Sequence, residues 1–168
     1  MGFDLYGMKP EANTPEPEWT KGDPYISTDI EGIMQVDPQV KEEYDDYIKE
    51  KIKWQEVNGG AYFRSNVWYW RPLWEFVCTV CNNVLTYDDY KKGNWNDGHK
   101  ISKTKTKRIA SRLRVLLNNG TVNSYERFHK ECKDELDDKN WDKSYPFSVE
   151  HVKEFERFCE KSGGFEIH

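Results

Sequence analysis

The stretch "AYFRSNVWYWRPLWEF" occupies Ala61–Phe76 and carries three of the chain's seven tryptophans. It also carries two arginines, Arg64 and Arg71, and no lysine. From Pro72 onward the apolar residues recur at helical spacing, which predicts a helix that begins at Pro72 and buries one face. Large aromatic rings bury much area per residue, so we expect this stretch to contribute to the core.

The bulk composition favours one compact soluble chain with an aromatic core. Of 168 residues, 36% are hydrophobic and 15% are aromatic, and this length is typical of one domain. The start "MGFDLYGMKP" has no basic run before an apolar stretch. We therefore expect no signal peptide, no membrane span and a cytoplasmic location. In that reducing compartment the four cysteines are expected to be free thiols.

Both ends of the chain predict strands. Apolar and polar residues alternate in "GFDLY" (Gly2–Tyr6), and "FEI" near the C-terminus predicts a second strand that pairs with it. Ser102 and Ser148 have the side chains of helix N-caps, and a further helix is predicted over 123–138. The predicted fold class is α+β: a helix-rich single domain, 1–168, with a small sheet that joins the terminal strands.

Residues 8–58 differ in composition from the rest. They hold five of the seven prolines and many acids, so we interpret them as an inserted acidic, Pro-rich arm followed by a charged helix. Asp37 and Pro38 predict the start of that helix. An apolar residue at every fourth position predicts a narrow stripe that packs on a core or on a partner: Val40, Tyr44, Ile48 and Ile52.

Charge is unevenly distributed around a net value of −5. From Lys91 to Arg114 there are nine basic residues and one acid, Asp97. Such a face can attract an anion by scattered phosphate contacts. No helix-turn-helix spacing or RNP motif accompanies it, so a long nucleic acid is disfavoured and a solvated face or a short anion is preferred.

Two cysteine-containing motifs could supply tetrahedral zinc ligands: Cys78 with Cys81, and His129 with Cys132. The first pair falls within an apolar helical pattern without a glycine turn, and buried cysteine behaves as a small hydrophobe. These four residues are therefore weak metal candidates, and we expect no cofactor. No nucleophile elbow, P-loop or dinucleotide fingerprint is present, so we predict no catalytic residues.

The arginines and indoles around Pro72 are the main candidates for ligand binding. Arginine stacks on rings and pairs with phosphate or carboxylate in a bidentate manner, and a helix N-terminus adds free N–H groups. In the competing interpretation, Arg64 and Arg71 pair with Asp4 or Glu75 and only brace the molecule. The predicted ligand-binding residues are Arg64, Asn66, Trp68, Trp70, Arg71, Trp74, Lys105, Arg108 and Arg112.

Four segments together resemble an uncharacterised small-protein family of bacteria and phages: "MGFDLYGMKP", "YFRSNVWYWRPLWEF", "NDGHKIS" and "YPFSVEHVKEFERFCEKSGGFEI". Members begin MG[FM]D[LV]xG, carry YFRxNxWxWRPL and end near SVExVxEF…GGFxI. The matching positions are Gly2, Asp4, Gly7, Tyr62, Phe63, Arg64, Asn66, Trp70, Arg71, Pro72, Asn96, Gly98, Gly163 and Gly164.

The family pattern implies no particular activity, and this chain departs from it in two places. Relatives pass quickly from the first motif to YFR, whereas this chain has the arm at 8–58. Many relatives carry a CxxCxGxG element before the final helix, where this chain has "HKECKDELDDKN". A zinc role in relatives therefore does not transfer to this chain.

These observations lead to three functional hypotheses. The first is a non-catalytic, phage-encoded cytoplasmic protein that binds a small anionic nucleotide-like ligand and sequesters a host defence signal. The second is a protein-interaction module or inhibitor of a host protein, which uses the apolar stripe and the acidic arm. The third is a nucleotide- or nucleic-acid-processing enzyme in which acids such as Asp4 and Glu75 meet in space. No membrane partner is expected, and a homo-oligomer stays open.

Overall fold

The computed structural model describes residues 2–22, 24, 38–135 and 145–168. The α+β, helix-rich class is confirmed, and no helix in these ranges is both long and apolar enough to span a bilayer. The elements run in the order β1 (Gly2–Gly7), α1 (Pro38–Val57), β2 (Tyr62–Asn66), α2 (Val67–Val80), α3 (Tyr87–Lys92), β3 (His99–Ser102), α4 (Lys103–Asn118), α5 (Thr121–Asp134), α6 (Val149–Lys161) and β4 (Gly164–Ile167).

The four strands form one antiparallel sheet in the order β2-β1-β4-β3. The predicted pairing of the terminal strands is confirmed, with Leu5 opposite Ile167. β2 and β3 were not predicted, and they extend the sheet at its two edges. Period-two alternation places Phe3, Leu5 and Phe63 on a buried face, because successive strand residues point to opposite sides.

The chain divides into two compact units, one made of Met1–Glu11 with Gly59–His168 and the other of Ala12–Asn58. In the first unit, α4 packs against α6, and both belong with α2 to the helical layer of the core. In the second unit, the indole N–H of Trp54 donates to the Thr14 carbonyl at 2.9 Å. The insertion of the arm at 8–58 relative to related chains stays a prediction.

The predicted apolar stripe of α1 is only partly correct. Ile52 is 50% exposed, whereas Trp54, two residues later, is the buried residue of this helix. Asp37, its predicted cap, lies outside the described residues.

The predicted start of α2 at Pro72 is wrong, because the helix begins at Val67. Asn66 is the N-cap, and its side-chain oxygen accepts from the backbone N–H of Tyr69 at 3.0 Å. Pro72 therefore lies within the helix, where its missing N–H leaves the carbonyl of Trp68 without its usual partner. A good cap outweighed the preference of proline for the first helical position.

Two other caps were predicted correctly. The Ser102 side chain accepts from Lys105 N–H at the start of α4, and the Ser148 side chain accepts from His151 N–H at the start of α6. The helix predicted over 123–138 corresponds to α5, which begins two residues earlier, and 136–138 lie outside the described residues.

Candidate functional site

Two of the predicted ligand-binding tryptophans belong to the core. Trp70 and Trp74 are fully buried and stack at 5.3 Å between ring centroids. Their indole N–H groups donate to the carbonyls of Gly93 at 2.7 Å and Tyr90 at 3.2 Å. The prediction that these two rings line a ligand site is therefore wrong, since both rings are fully buried and both indole donors bind carbonyls inside the molecule.

The two arginines do not form a pair. Arg64 projects from β2, is largely exposed and has its Nε 3.6 Å from Asp4 Oδ1, as the competing interpretation predicted. Arg71 projects from α2, and its Nη1 donates to the Tyr145 hydroxyl at 2.8 Å. Each lines a different cleft, so the expectation of one site with two guanidinium groups is wrong.

The remaining predicted binding residues are also dispersed. Asn66 is used as the cap of α2, and Lys105 Nζ lies 2.6 Å from the carboxylate of Asp89. Arg108 and Arg112 are exposed on α4 and do not line the cleft that contains Arg71. Trp68 is 37% exposed and contacts Tyr145 at 5.0 Å between ring centroids, so its ring borders the same aromatic side chain as Arg71.

The four weak metal candidates do not come together. Cys78 and Cys81 lie at the end of α2, whereas His129 and Cys132 lie on α5. Among the described residues, no three His, Cys, Asp or Glu side chains form a group that could hold a metal ion. Burial raises the pKa of Cys78 to about 12 and that of Cys81 to about 11, so both are thiols at neutral pH.

The main candidate site is the cleft around Arg71, with a volume of about 480 Å³. We call it the Arg71 cleft. Helix α2 supplies one wall, and α3 with the turn after it supplies a second. Helix α5 and Tyr145, which precedes α6 in the chain, supply the rest. Its lining residues are Arg71, Pro72, Glu75, Tyr90, Asn94, Trp95, His129, Lys133 and Tyr145.

A buried carboxylate holds the α3 wall in place. Asp89 completes a capping box with Thr86, and it also accepts from Lys105 and from His99 Nε2 at 3.1 Å. Burial by itself would raise the pKa of Asp89, but hydrogen bonds from Lys105, Thr86 and His99 outweigh it and lower the pKa to about 2. The carboxylate thus ties α3 to β3 and α4, and α3 carries Tyr90 into the cleft.

The turn after α3 needs a glycine. A Cβ on Gly93 would lie 2.2 Å from Trp74 Nε1, closer than any real contact. The Gly93 carbonyl also accepts from the Trp70 indole. This close approach of backbone to indole positions Asn94 and Trp95, which follow directly and line the cleft.

The cleft combines cationic groups with exposed rings. The Arg71 guanidinium carbon lies 5.7 Å from the Tyr145 ring centre, and Lys133 Nζ lies 5.7 Å from the same ring. Trp95 is 49% exposed and Tyr90 is 38% exposed. Burial, aided by Lys133, lowers the pKa of His129, so His129 is neutral at pH 7. Such a surface can stack a planar group while a guanidinium binds an anion.

A second, smaller cleft of about 330 Å³ contains Arg64 and a hydrogen-bonded serine and histidine. Ser65 Oγ lies 2.9 Å from His151 Nε2, and His151 Nδ1 lies 3.4 Å from Glu154. The order Ser65, His151, Glu154 matches that of a nucleophile, a general base and an acid. However, Ser65 is only 2% exposed, and the His151 ring is packed against Phe63. We therefore interpret this chain of contacts as structural.

Sequence reasoning identified Arg71 but missed its partners in the cleft. Glu75, Tyr90, Asn94, Trp95, Lys133 and Tyr145 were not in the predicted set. The signal that could have located the α3 wall is the capping box from Thr86 to Asp89, which marks a helix start just before Tyr90.

Comparison with protein-family models, with curated proteins and with solved structures gives no match. The resemblance to the family of bacterial and phage proteins stays a prediction.

Proposed function

We propose that the protein binds a small, planar, anionic ligand of the nucleotide type in the Arg71 cleft and does not transform it. The observation that carries this proposal is the environment of Arg71. Within the described part of the chain, its guanidinium has no carboxylate partner, and it lies beside exposed rings in an open cleft. A structural arginine is normally paired with an acid, as Arg64 is with Asp4.

The size and charge of the cleft favour a ligand no larger than a mononucleotide. Small-molecule sites commonly have volumes of roughly 300–1,000 Å³, and this cleft has about 480 Å³. Its described lining offers Arg71, whose guanidinium has no carboxylate partner among the described residues, and one carboxylate, Glu75. A monophosphate or cyclic phosphate matches that balance better than a triphosphate, because each added charge meets the Glu75 carboxylate.

Binding without turnover is supported by the chemistry of the lining. The described lining residues include no serine, threonine or cysteine, so the cleft lacks the aliphatic hydroxyl and thiol nucleophiles of acyl transfer. In a phage-encoded protein, binding of this kind would remove a nucleotide signal of host defence from solution. That use follows from the resemblance to phage proteins.

The test is calorimetric titration of the full chain with nucleoside monophosphates and cyclic nucleotides. Arg71→Ala should weaken binding about 10- to 100-fold, because a hydrogen bond to a charged group contributes about 1.5–3 kcal/mol. Arg71→Lys should recover only part of the affinity, since an ammonium cannot make the bidentate contact.

Arg64→Ala is the matched control, because Arg64 lies in the same sequence segment but outside the cleft. It should leave the affinity unchanged. Absence of binding at millimolar nucleotide, or an equal loss in Arg64→Ala and Arg71→Ala, would refute the proposal. Thermal melts of both variants establish that each is folded.

A further inference from the structure

Glu75 is the only carboxylate in the described lining of the Arg71 cleft. It lies four residues after Arg71, so the two side chains leave the same face of α2 one turn apart. Nevertheless, they are not within ion-pair distance of each other, and Glu75 forms no ion pair with any described residue. Arg71 turns instead toward Tyr145. The carboxylate is therefore available to a ligand.

Glu75 and Tyr90 stand where two hollows meet. Both residues line the Arg71 cleft, and both also line an adjoining hollow of about 420 Å³ that includes Tyr87. The rings of Tyr87 and Tyr90 stack at 6.2 Å between centroids. Glu75 and Tyr90 thus offer a carboxylate and an aromatic ring to the same ligand, and Arg71 lines the same cleft.

Glu75 places a carboxylate where the two hollows meet. An ionised carboxylate can only accept hydrogen bonds. A base that pairs with the Glu75 carboxylate must therefore present donors to it.

Guanine meets this requirement better than the other bases. Its N1–H and N2–H groups are adjacent donors that match the two oxygens of one carboxylate. Adenine and cytosine present one amino group next to a ring nitrogen acceptor, and uracil presents one N–H between two carbonyls. A site built to accept two hydrogen bonds discriminates strongly against a ligand that leaves an acceptor unpaired.

On the basis of the proposed function, we infer that Glu75 makes the Arg71 cleft selective for guanine nucleotides. Arg71 binds the phosphate, the Tyr90 ring supports the base and the Glu75 carboxylate accepts from N1–H and N2–H. Replacing Glu75 by glutamine exchanges one of its two acceptor atoms for a donor. The glutamine side chain then presents one donor and one acceptor, which is complementary to adenine, a base that also offers one donor and one acceptor.

The experiment is a matrix of titrations: guanosine and adenosine monophosphate against the wild type, Glu75→Gln and Glu150→Gln. Wild type should bind guanosine monophosphate roughly tenfold more tightly than adenosine monophosphate. Glu75→Gln should weaken guanosine monophosphate about tenfold and leave adenosine monophosphate unchanged or tighter. Glu150 is an exposed acid that lines the second, smaller cleft, the one that contains Arg64, so Glu150→Gln should behave as the wild type.

The outcomes separate the selectivity from the binding function. Equal binding of both nucleotides, with no effect of Glu75→Gln, would overturn the guanine assignment and leave the proposed function intact. Failure of both nucleotides to bind the wild type would overturn the proposed function and the assignment together. Glu75 is exposed and has no ion pair among the described residues, so Glu75→Gln is expected to fold, and a thermal melt verifies this.

Discussion

The first prediction concerns Asp89, whose carboxylate fixes the α3 wall of the Arg71 cleft. The perturbation is Asp89→Asn, which keeps the size of the side chain and removes its charge. Asp89 is 3% exposed and receives hydrogen bonds from Lys105 Nζ at 2.6 Å and from Thr86 N at 2.7 Å. The variant leaves Lys105 and His99 beside a neutral amide.

The size of the effect follows from the pKa of Asp89. A decrease from 3.8 to about 2 corresponds to roughly 2 kcal/mol of folding free energy. Removing one partner of a buried ion pair can cost about 3–5 kcal/mol, so we expect a loss of about 2–4 kcal/mol. For a chain of this length that loss lowers Tm by roughly 4–16 °C.

The sign of the pH dependence is fixed by the direction of the shift. Because the folded state lowers the pKa of Asp89, its contribution is complete well above pH 3.8 and is lost as the pH falls toward 2. Roughly half of the contribution is gone at pH 3. The free-energy difference between wild type and Asp89→Asn should therefore shrink between pH 7 and pH 3.

Urea unfolding of both proteins at several pH values measures this difference. Asp88→Asn is the control, since Asp88 is the preceding residue on the same helix and forms an exposed pair with Lys92. An exposed pair contributes about 0–1 kcal/mol. Equal stability of Asp89→Asn and Asp88→Asn, or a stability deficit of Asp89→Asn that does not change with pH, would show that the Asp89 carboxylate does not stabilise the fold through its charge.

Two further predictions concern packing and thiol reactivity. Gly93→Ala should destabilise the fold by about 1–3 kcal/mol in urea unfolding, because its Cβ would meet the Trp74 indole at 2.2 Å. Gly59→Ala is the control and should have little effect, because a Cβ at Gly59 would have nothing within 4 Å. Equal stability of the two variants would contradict the packing. Cys132 is exposed and Cys81 is buried with its pKa raised to about 11 by burial, so Cys132 should react first with a disulfide reagent. A fast phase that survives in Cys132→Ser would show that another thiol is accessible.

Local signals in the sequence predicted several elements of the fold well. Ser102 and Ser148 cap helices as their side chains indicate, because capping depends on neighbours within one turn. The alternation around Leu5 was sufficient to predict a strand and its partner at the C-terminus. β3 was missed because its four residues are too few to display a period.

The error at α2 explains the error in the predicted site. With the helix placed from Val67, Trp70 and Trp74 are four residues apart and share one face with Leu73 and Val77. Because the helix was predicted to start at Pro72, this spacing was not recognised, and the indoles were interpreted as surface rings. The asparagine cap at Asn66 was the decisive signal, and the proline was given more weight than it warranted.

The composition of the Arg71 cleft was beyond the reach of local patterns. Arg71, Trp95 and Lys133 come from α2, the turn after α3 and α5. Packing of α2 and α5 around a shared core brings them together, and no short motif connects them. The sequence was sufficient to identify an arginine able to bind an anion, but it did not specify which aromatic rings would surround that arginine.

On our proposal, a nucleotide binds beside Arg71. The most direct measurement is a titration of ¹⁵N-labelled protein with guanosine monophosphate, followed by amide and indole N–H resonances. We expect the largest shifts at 71–75, at 90–95, including the Trp95 indole, and at 129–133. Shifts concentrated instead at 64–66 and 148–154, or no shift at saturating nucleotide, would contradict it.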